Sequence, residues 1–448
     1  MQFIQSVLAL IVTLGILVTI HEYGHFWVAR RCGVKVLRFS VGFGKPIFSR
    51  YDRHGTEYAV AAIPLGGYVK MLDEREAPVD PAERHMAFTS KPPGQRIAIA
   101  AAGPLANFIF AIAAYWLLSV VGVTTVAPIV GEVAPDSVAA RIGLAPGMEI
   151  ESVDGRSVQS WPDISKRLLE RVGERDVIDV GVLSGGSDRT LSGSLDGWVF
   201  DEDKGDPIGS FGIMPKRADI PAVIGQLLPD QRAQAAGLKE GDRILAVNGE
   251  SVKDWSELVT IIQAAPEKSL RFEVERDGRE EILDVTPAER LVDGQAQGYI
   301  GAGVQPVPWP DDLLREVRYG AFAAVPVAVT ETWSDIRLTV VAIQKMITGL
   351  LSPTNLSGPI TIARVAEASA SSSFEDFIHF LAYLSVTLGV LNLLPVPVLD
   401  GGHIVFYTYE AIRGKPVSVA VQNAALQIGM ALILTLMVFA LYNDLMRL

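Results

Sequence analysis

The run from Met1 to Ile20 carries no charged side chain and leads directly into His21-Glu22-Tyr23-Gly24-His25. At ~1.5 Å per helical residue it crosses most of a ~30 Å hydrocarbon core. Nothing basic precedes it and no small-residue cleavage site follows it, which argues against a cleaved signal peptide. A span that ends on three ionisable groups needs a reason for them. Each costs on the order of 2.5 to 3.5 kcal/mol at membrane depth, and such groups mark function by default. Residues four apart share one helix face, so His21 and His25 can present two imidazole nitrogens to one ion. Glu22, beside the first of them, is placed to take a proton from water. HExxH therefore reads as two zinc ligands plus a general base. The alternative, a pair of satisfied core histidines, leaves the membrane setting unexplained.

Three further runs qualify as spans by length and lack of charge: Ile97 to Val121, Phe377 to Leu394, and about Ala424 to Tyr442. Mean hydropathy is +0.29 and 49% of residues are hydrophobic, as expected when part of the chain sits in lipid. Gly320 to Leu351 is also apolar, but Glu331, Asp335, Arg337 and Lys345 interrupt it. This pattern predicts an amphipathic helix at the membrane or against protein.

Basic residues set the orientation. Arg30, Arg31, Lys35, Arg38, Lys45, Arg50 and Arg53 follow the first span, and Arg413 and Lys415 lie between the third and fourth. By the positive-inside rule both segments face the cytoplasm, which places both termini and the stretch from Gly122 to Asp376 outside. A formal charge of -12 argues against a nucleic-acid partner. Cys32 is the single cysteine, so neither an intramolecular disulfide nor a Cys-rich metal site is available.

Two histidines leave a catalytic zinc site short of one protein ligand. The candidate is Asp400, in "LNLLPVPVLDGGHIVF", where Pro395 and Pro397 break the third span. Broken helix at membrane depth is tolerated only where it lines protein or a wet cavity. His21 lies about 27 Å along a helix from Phe3, and Asp400 ends a span of the same direction, so both approach the cytoplasmic side. An ordinary Asp-Gly surface turn is the competing reading of Asp400. His403 is a rival ligand or a supporting group behind the ligands.

HExxH on the first span together with NxxPxPxLDG after the third resembles the site-2 protease family of intramembrane metalloproteases, in its bacterial regulator-of-sigma-E branch. The resemblance covers essentially the whole chain. It implies Zn2+ held by His21, His25 and Asp400, with Glu22 as catalytic base and Asn392 as the residue holding substrate or the oxyanion. "GPLANF", Gly103 to Phe108, matches a further family motif, whose Gly and Ala permit close helix approach and whose Asn107 needs a polar partner. Glu57 to Leu72 reads as a hairpin turning around Pro64 to Gly67, and the resemblance implies that it re-enters the membrane. The implied substrates are single-span proteins, of anti-sigma-factor type after outside trimming, and remnant signal peptides. A membrane-anchored peptide-binding adaptor that has lost catalysis would not need this full set of residues, and a metal transporter would leave the repeat in the exported stretch unexplained.

The exported stretch contains a repeat. The segment from Pro128 realigns with that from Ala222 at a constant offset of 94 residues, matching Gly143 with Gly237, Gly155 with Gly249 and Trp161 with Trp255. Each copy reads as strand, short helix, Gly-hinged turn, strand, Asp-Gly or Asn-Gly turn, then a helix near the Trp. The pattern resembles PDZ domains, which add a peptide C-terminus as a strand at a sheet edge. Ile129 to Gly131 and Val223 to Gly225 match the carboxylate-binding loop. The first copy departs from the pattern at Gly147-Met148-Glu149.

The expected fold is thus a four-span α-helical membrane core with a re-entrant β-hairpin, plus two α+β PDZ domains inserted between spans 2 and 3. The expected boundaries are 1–121 for spans 1 and 2 with the hairpin, 122–220 and 221–310 for the PDZ copies, 311–373 for amphipathic connecting helices, and 374–448 for spans 3 and 4. The expected location is the bacterial inner membrane, with the active site near its cytoplasmic side.

Overall fold

The computed structural model describes residues 2–75, 77–200, 205–217, 220–292, 295–305, 307 and 309–446. Met1, where the expected first span begins, lies outside them. Four helices are long and apolar enough to cross a membrane: span 1 in Gln2–Arg31, span 2 in Pro93–Val121, span 3 in Phe374–Leu393 and span 4 in Val419–Met446. Span 1 does not stop where its charge-free run does. The helix continues through His21 and His25 to Arg30 and Arg31, whose cations suit the negative end of the helix dipole.

Spans 2 and 3 pack through small side chains. Ala111 and Ala114 of span 2 meet Ala382 and Val386 of span 3, and Ala328 of the Ala324–Ile347 helix completes the cluster. That helix is the predicted amphipathic segment, and it lies against protein. Its Asp335, fully buried, accepts from the Tyr115 hydroxyl of span 2 and, at 2.8 Å, from Lys166 Nζ of the first repeat. Span 4 is the most exposed of the four. Near its end Asp444 accepts from the backbone N–H of Gly358 at 3.0 Å and Ile360 at 2.8 Å, capping the Pro359–Ser372 helix.

Between spans 1 and 2, β1 (Val36–Tyr51) pairs with β2 (Glu57–Met71). The ribbon folds back on itself, so Val41 has Gly67 on one side and Val60 on the other. The chain reverses between Val60 and Gly67, where the hairpin turn was expected, but the two arms lie on either side of Val36–Val41 with that strand between them. A second turn lies at 52–56. There the Asp52 carboxylate accepts from the N–H groups of His54 at 2.8 Å and Thr56 at 3.0 Å, an Asx-type turn that needs no Pro-Gly signal. Phe43, Ile47, Phe48, Val60 and Ile63 are exposed along the ribbon.

The two repeats fold alike. In each, a four-stranded sheet has the middle of the repeat at its centre: Arg156–Ser157, Glu149–Val153, Val177–Ser184, Ser187–Ser194 in the first, and Glu250–Ser251, Arg243–Val247, Leu270–Arg276, Arg279–Val285 in the second. The first two strands of each sheet join through Asp154-Gly155 or Asn248-Gly249. All four residues have positive φ, between 50° and 83°, the conformation a two-residue hairpin turn requires. Each repeat closes its own core, around Ile150, Ile164 and Phe211 in one and Ile244, Leu258 and Phe272 in the other.

A two-stranded pair flanks each sheet, Val130–Val133 with Ile213–Pro215 and Ile224–Leu227 with Ala302–Val304. The loop positions expected to be free are already bonded on both sides. Val130 N–H donates to Met148 O and Ile129 O accepts from Lys216 N; Ile224 N–H donates to Asp242 O and Val223 O accepts from Gln305 N. Within these two pairs, the strand with no further ladder among the described residues is Ile213–Pro215 in the first and Ala302–Val304 in the second.

Candidate metal centre

Helix periodicity places His21 and His25 on one face of span 1, directed at span 2, and both are buried. Space for them exists because position 103 is glycine. A Cβ there would overlap His25 Nε2 and come within 2.8 Å of His21 Cε1. Gly24 plays the reciprocal part, allowing span 1 to touch the Ala102 backbone.

Asp400 starts the Asp400–Arg413 helix, beyond the break at 394–399. Gly401 and Gly402 let this helix seat against the backbone of Leu393 to Pro397, where any Cβ would collide. The result brings Asp400 Oδ2 to 3.2 Å from His21 Nε2 and 3.5 Å from His25 Nε2, with the two Nε2 atoms 3.2 Å apart. Tetrahedral zinc with bonds of about 2.05 Å separates its ligand atoms by about 3.3 Å. The three donors fit that spacing.

The outer nitrogens support the same assignment. His25 Nδ1 lies 2.8 Å from Ile99 O and can only donate to it, which leaves Nε2 with a lone pair. His21 Nδ1 lies 3.2 Å from the Asn107 amide, whose Oδ1 is buried without a partner. A metal on Nε2 puts the His21 proton on Nδ1, and turning that amide over lets Oδ1 accept it. Two bare nitrogens then converge on a carboxylate oxygen that is itself buried without a hydrogen-bond partner. Without a cation this arrangement is repulsive; with one it is a ligand set backed by orienting hydrogen bonds.

Glu22 lines a cavity of about 250 Å³ together with His25, Asp400, Val69 and His403. Strand β2 forms one wall, with Gly67 close to Val18 and to Cγ of Glu22. His403 stays outside the donor cluster, its ring stacked on Tyr407 at 6.2 Å. Asn392 sits on the last turn of span 3, and its side chain has no hydrogen bond among the described residues. The part sequence reasoning missed is the Ile99 carbonyl, since a backbone acceptor leaves no mark on residue type.

The model of peptidase family M50 matches residues 9–436. The regulator of sigma-E protease RseP of Escherichia coli (strain K12) is 46% identical over 450 residues, covering all of both chains. The regulator of sigma E protease of Salmonella typhimurium (strain LT2) is equally similar. A Vibrio cholerae protein named as a zinc metalloprotease is 41% identical, again over the full length of both. With four apolar helices, this kinship fits a bacterial inner membrane protein. Family and relatives together place the chain: it belongs to peptidase family M50, the site-2 proteases, as a zinc metalloendopeptidase of the regulator-of-sigma-E type.

Proposed function

We propose that this peptidase cuts inside the membrane, hydrolysing transmembrane segments of single-span proteins with His21, His25 and Asp400 as zinc ligands. The observation that carries the reading is the donor triangle of 3.2 to 3.5 Å that His21 and His25, on a helix long and apolar enough to span a bilayer, make with Asp400 on the short helix after span 3. When bound, zinc supplies Lewis acidity, making water acidic near neutral pH and polarising a carbonyl. Glu22 takes the proton from the attacking water and returns it to the leaving amine. Asn392 holds the substrate backbone or the developing oxyanion. A helical substrate must first unwind, because its carbonyls are occupied. Strand β2 beside Glu22 offers an edge for the unwound segment, with the exposed apolar residues of the ribbon dipping into lipid.

The preferred substrates are anti-sigma factors already trimmed outside, and remnant signal peptides. The two repeats act as PDZ domains on the outer side, taking exposed C-termini at Ala302–Val304 or Ile213–Pro215 and excluding substrates with intact exported domains. Both termini lie on that side and the metal site near the cytoplasmic face. The test is cleavage of a model single-span substrate in vesicles. Glu22→Gln should keep its zinc and lose activity by about 10²- to 10⁴-fold; cleavage at the wild-type rate would remove Glu22 from the chemistry.

A further inference from the structure

The face of spans 1 and 2 turned away from Asp400 carries an apolar groove of about 760 Å³. Its floor is Ala98, Ala101, Ala102, Leu105 and Ala106, a small-residue face at helical spacing on span 2. Such faces ordinarily pack against another helix. Here span 1 touches span 2 at Gly24 and Ala102 and leaves the groove open to the lipid side.

At one end the groove meets a second cavity of about 750 Å³, and Tyr23 and Trp27 line both. This second cavity is basic. Its Arg30 is bonded to Asp52 and its Lys35 to Glu83, so those charges are spent. Arg31, whose guanidinium lies 4.7 Å over the Trp27 ring, has no carboxylate partner among the described residues. Neither has Lys91, whose Nζ reaches to 3.4 Å from the Cβ position of Gly33 on the cavity wall. Two uncompensated cations thus sit where an apolar groove ends in Tyr and Trp, the residues that mark the membrane–water interface.

We propose that this continuous feature binds one anionic phospholipid, an acyl chain lying in the groove and the headgroup phosphate held by Arg31 and Lys91. Charge complementarity selects the occupant. A transmembrane helix would fill the apolar part and leave both cations unanswered, and a zwitterionic lipid brings its own cation to them. The bound chain lies along the back of the helix that carries His21 and His25, so it supports that wall of the metal site from the lipid side.

The full chain is reconstituted in phosphatidylcholine vesicles containing phosphatidylglycerol, with one or the other lipid brominated on its acyl chains. The Trp27 share of the quenching is the difference between wild type and Trp27→Phe. Brominated phosphatidylglycerol should quench that share with an association constant at least about five-fold above phosphatidylcholine, the preference one interfacial cation supplies. Arg31→Gln with Lys91→Gln should bring the ratio close to one, and Ala101→Leu should reduce quenching by both lipids. Equal quenching by the two lipids in the wild type overturns the proposal. So does a preference that survives loss of both cations, or displacement of both lipids alike by an added single-span helix.

Discussion

Gly103 of span 2 faces the imidazole of His25 with no room for a side chain, since an added Cβ would overlap Nε2. The proposed metal site therefore depends on a missing methyl as much as on its donors. Gly103→Ala should lower zinc content per purified chain at least ten-fold, because rigid spans offer the ring no other place. Full zinc occupancy in this variant would show that the imidazoles can shift.

The Asn107 amide lies against His21 Nδ1, and a metal on Nε2 would have its carbonyl oxygen accept from Nδ1–H. Asn107→Leu should weaken zinc binding by about 10- to 100-fold, the usual cost of losing a partner behind a ligand. Asn107→Asp keeps an acceptor and should restore most of it. Competition with a fluorescent chelator separates the two, and equal affinity of the Leu variant and wild type contradicts the assignment.

The Ala324–Ile347 helix is pinned to the first repeat by Lys166 and Asp335. Burial opposes the Lys166 cation, but Asp335 and Glu331 outweigh it and raise the ammonium above its usual range. Asp335→Ala leaves the buried cation only Glu331, at 3.7 Å, and should cost up to about 3 kcal/mol at this contact. Lys166→Met in the same chain should recover much of that loss. Hydrogen exchange of the 161–171 and 324–347 helices measures both variants.

In the second repeat, Asp242 is buried and accepts two hydrogen bonds from Arg276, at 2.8 and 2.7 Å. Burial alone would raise its carboxyl, but Arg276 and the Lys239 N–H outweigh burial and lower it. A depressed folded value stabilises above the unfolded value of about 3.9 and is lost as pH falls through the folded one. Protection of the 243–247 and 270–276 strands from exchange should therefore fall below about pH 4. Asp242→Asn should flatten that dependence; an unchanged profile would assign the acid sensitivity elsewhere.

Much of the architecture was legible. Charge-free runs marked the spans, although their ends moved: Val419–Met446 is longer than the apolar stretch within it because helix continues past the hydrophobic residues. The 94-residue offset showed two copies of one unit, and the positive-φ Asp-Gly and Asn-Gly turns fall where the residues required them. The β-hairpin was legible in part. The chain does reverse around Pro64 to Gly67, but its two arms lie on either side of Val36–Val41, and the Asp52 side chain makes a further turn at 52–56.

For the site, residue type and local spacing determined the chemistry by themselves: two imidazoles four apart on a helix, with a carboxylate between them, in an apolar run. Tertiary structure alone decided the rest. Asp400 approaches His21 across more than three hundred residues because Gly401 and Gly402 seat its helix on the broken end of span 3. The proton on His25 is held on Nδ1 because a backbone carbonyl at Ile99 is there to accept it. Helical periodicity is written in one stretch of chain, but donor spacing and tautomer arise where separate helices meet, and no single stretch records that.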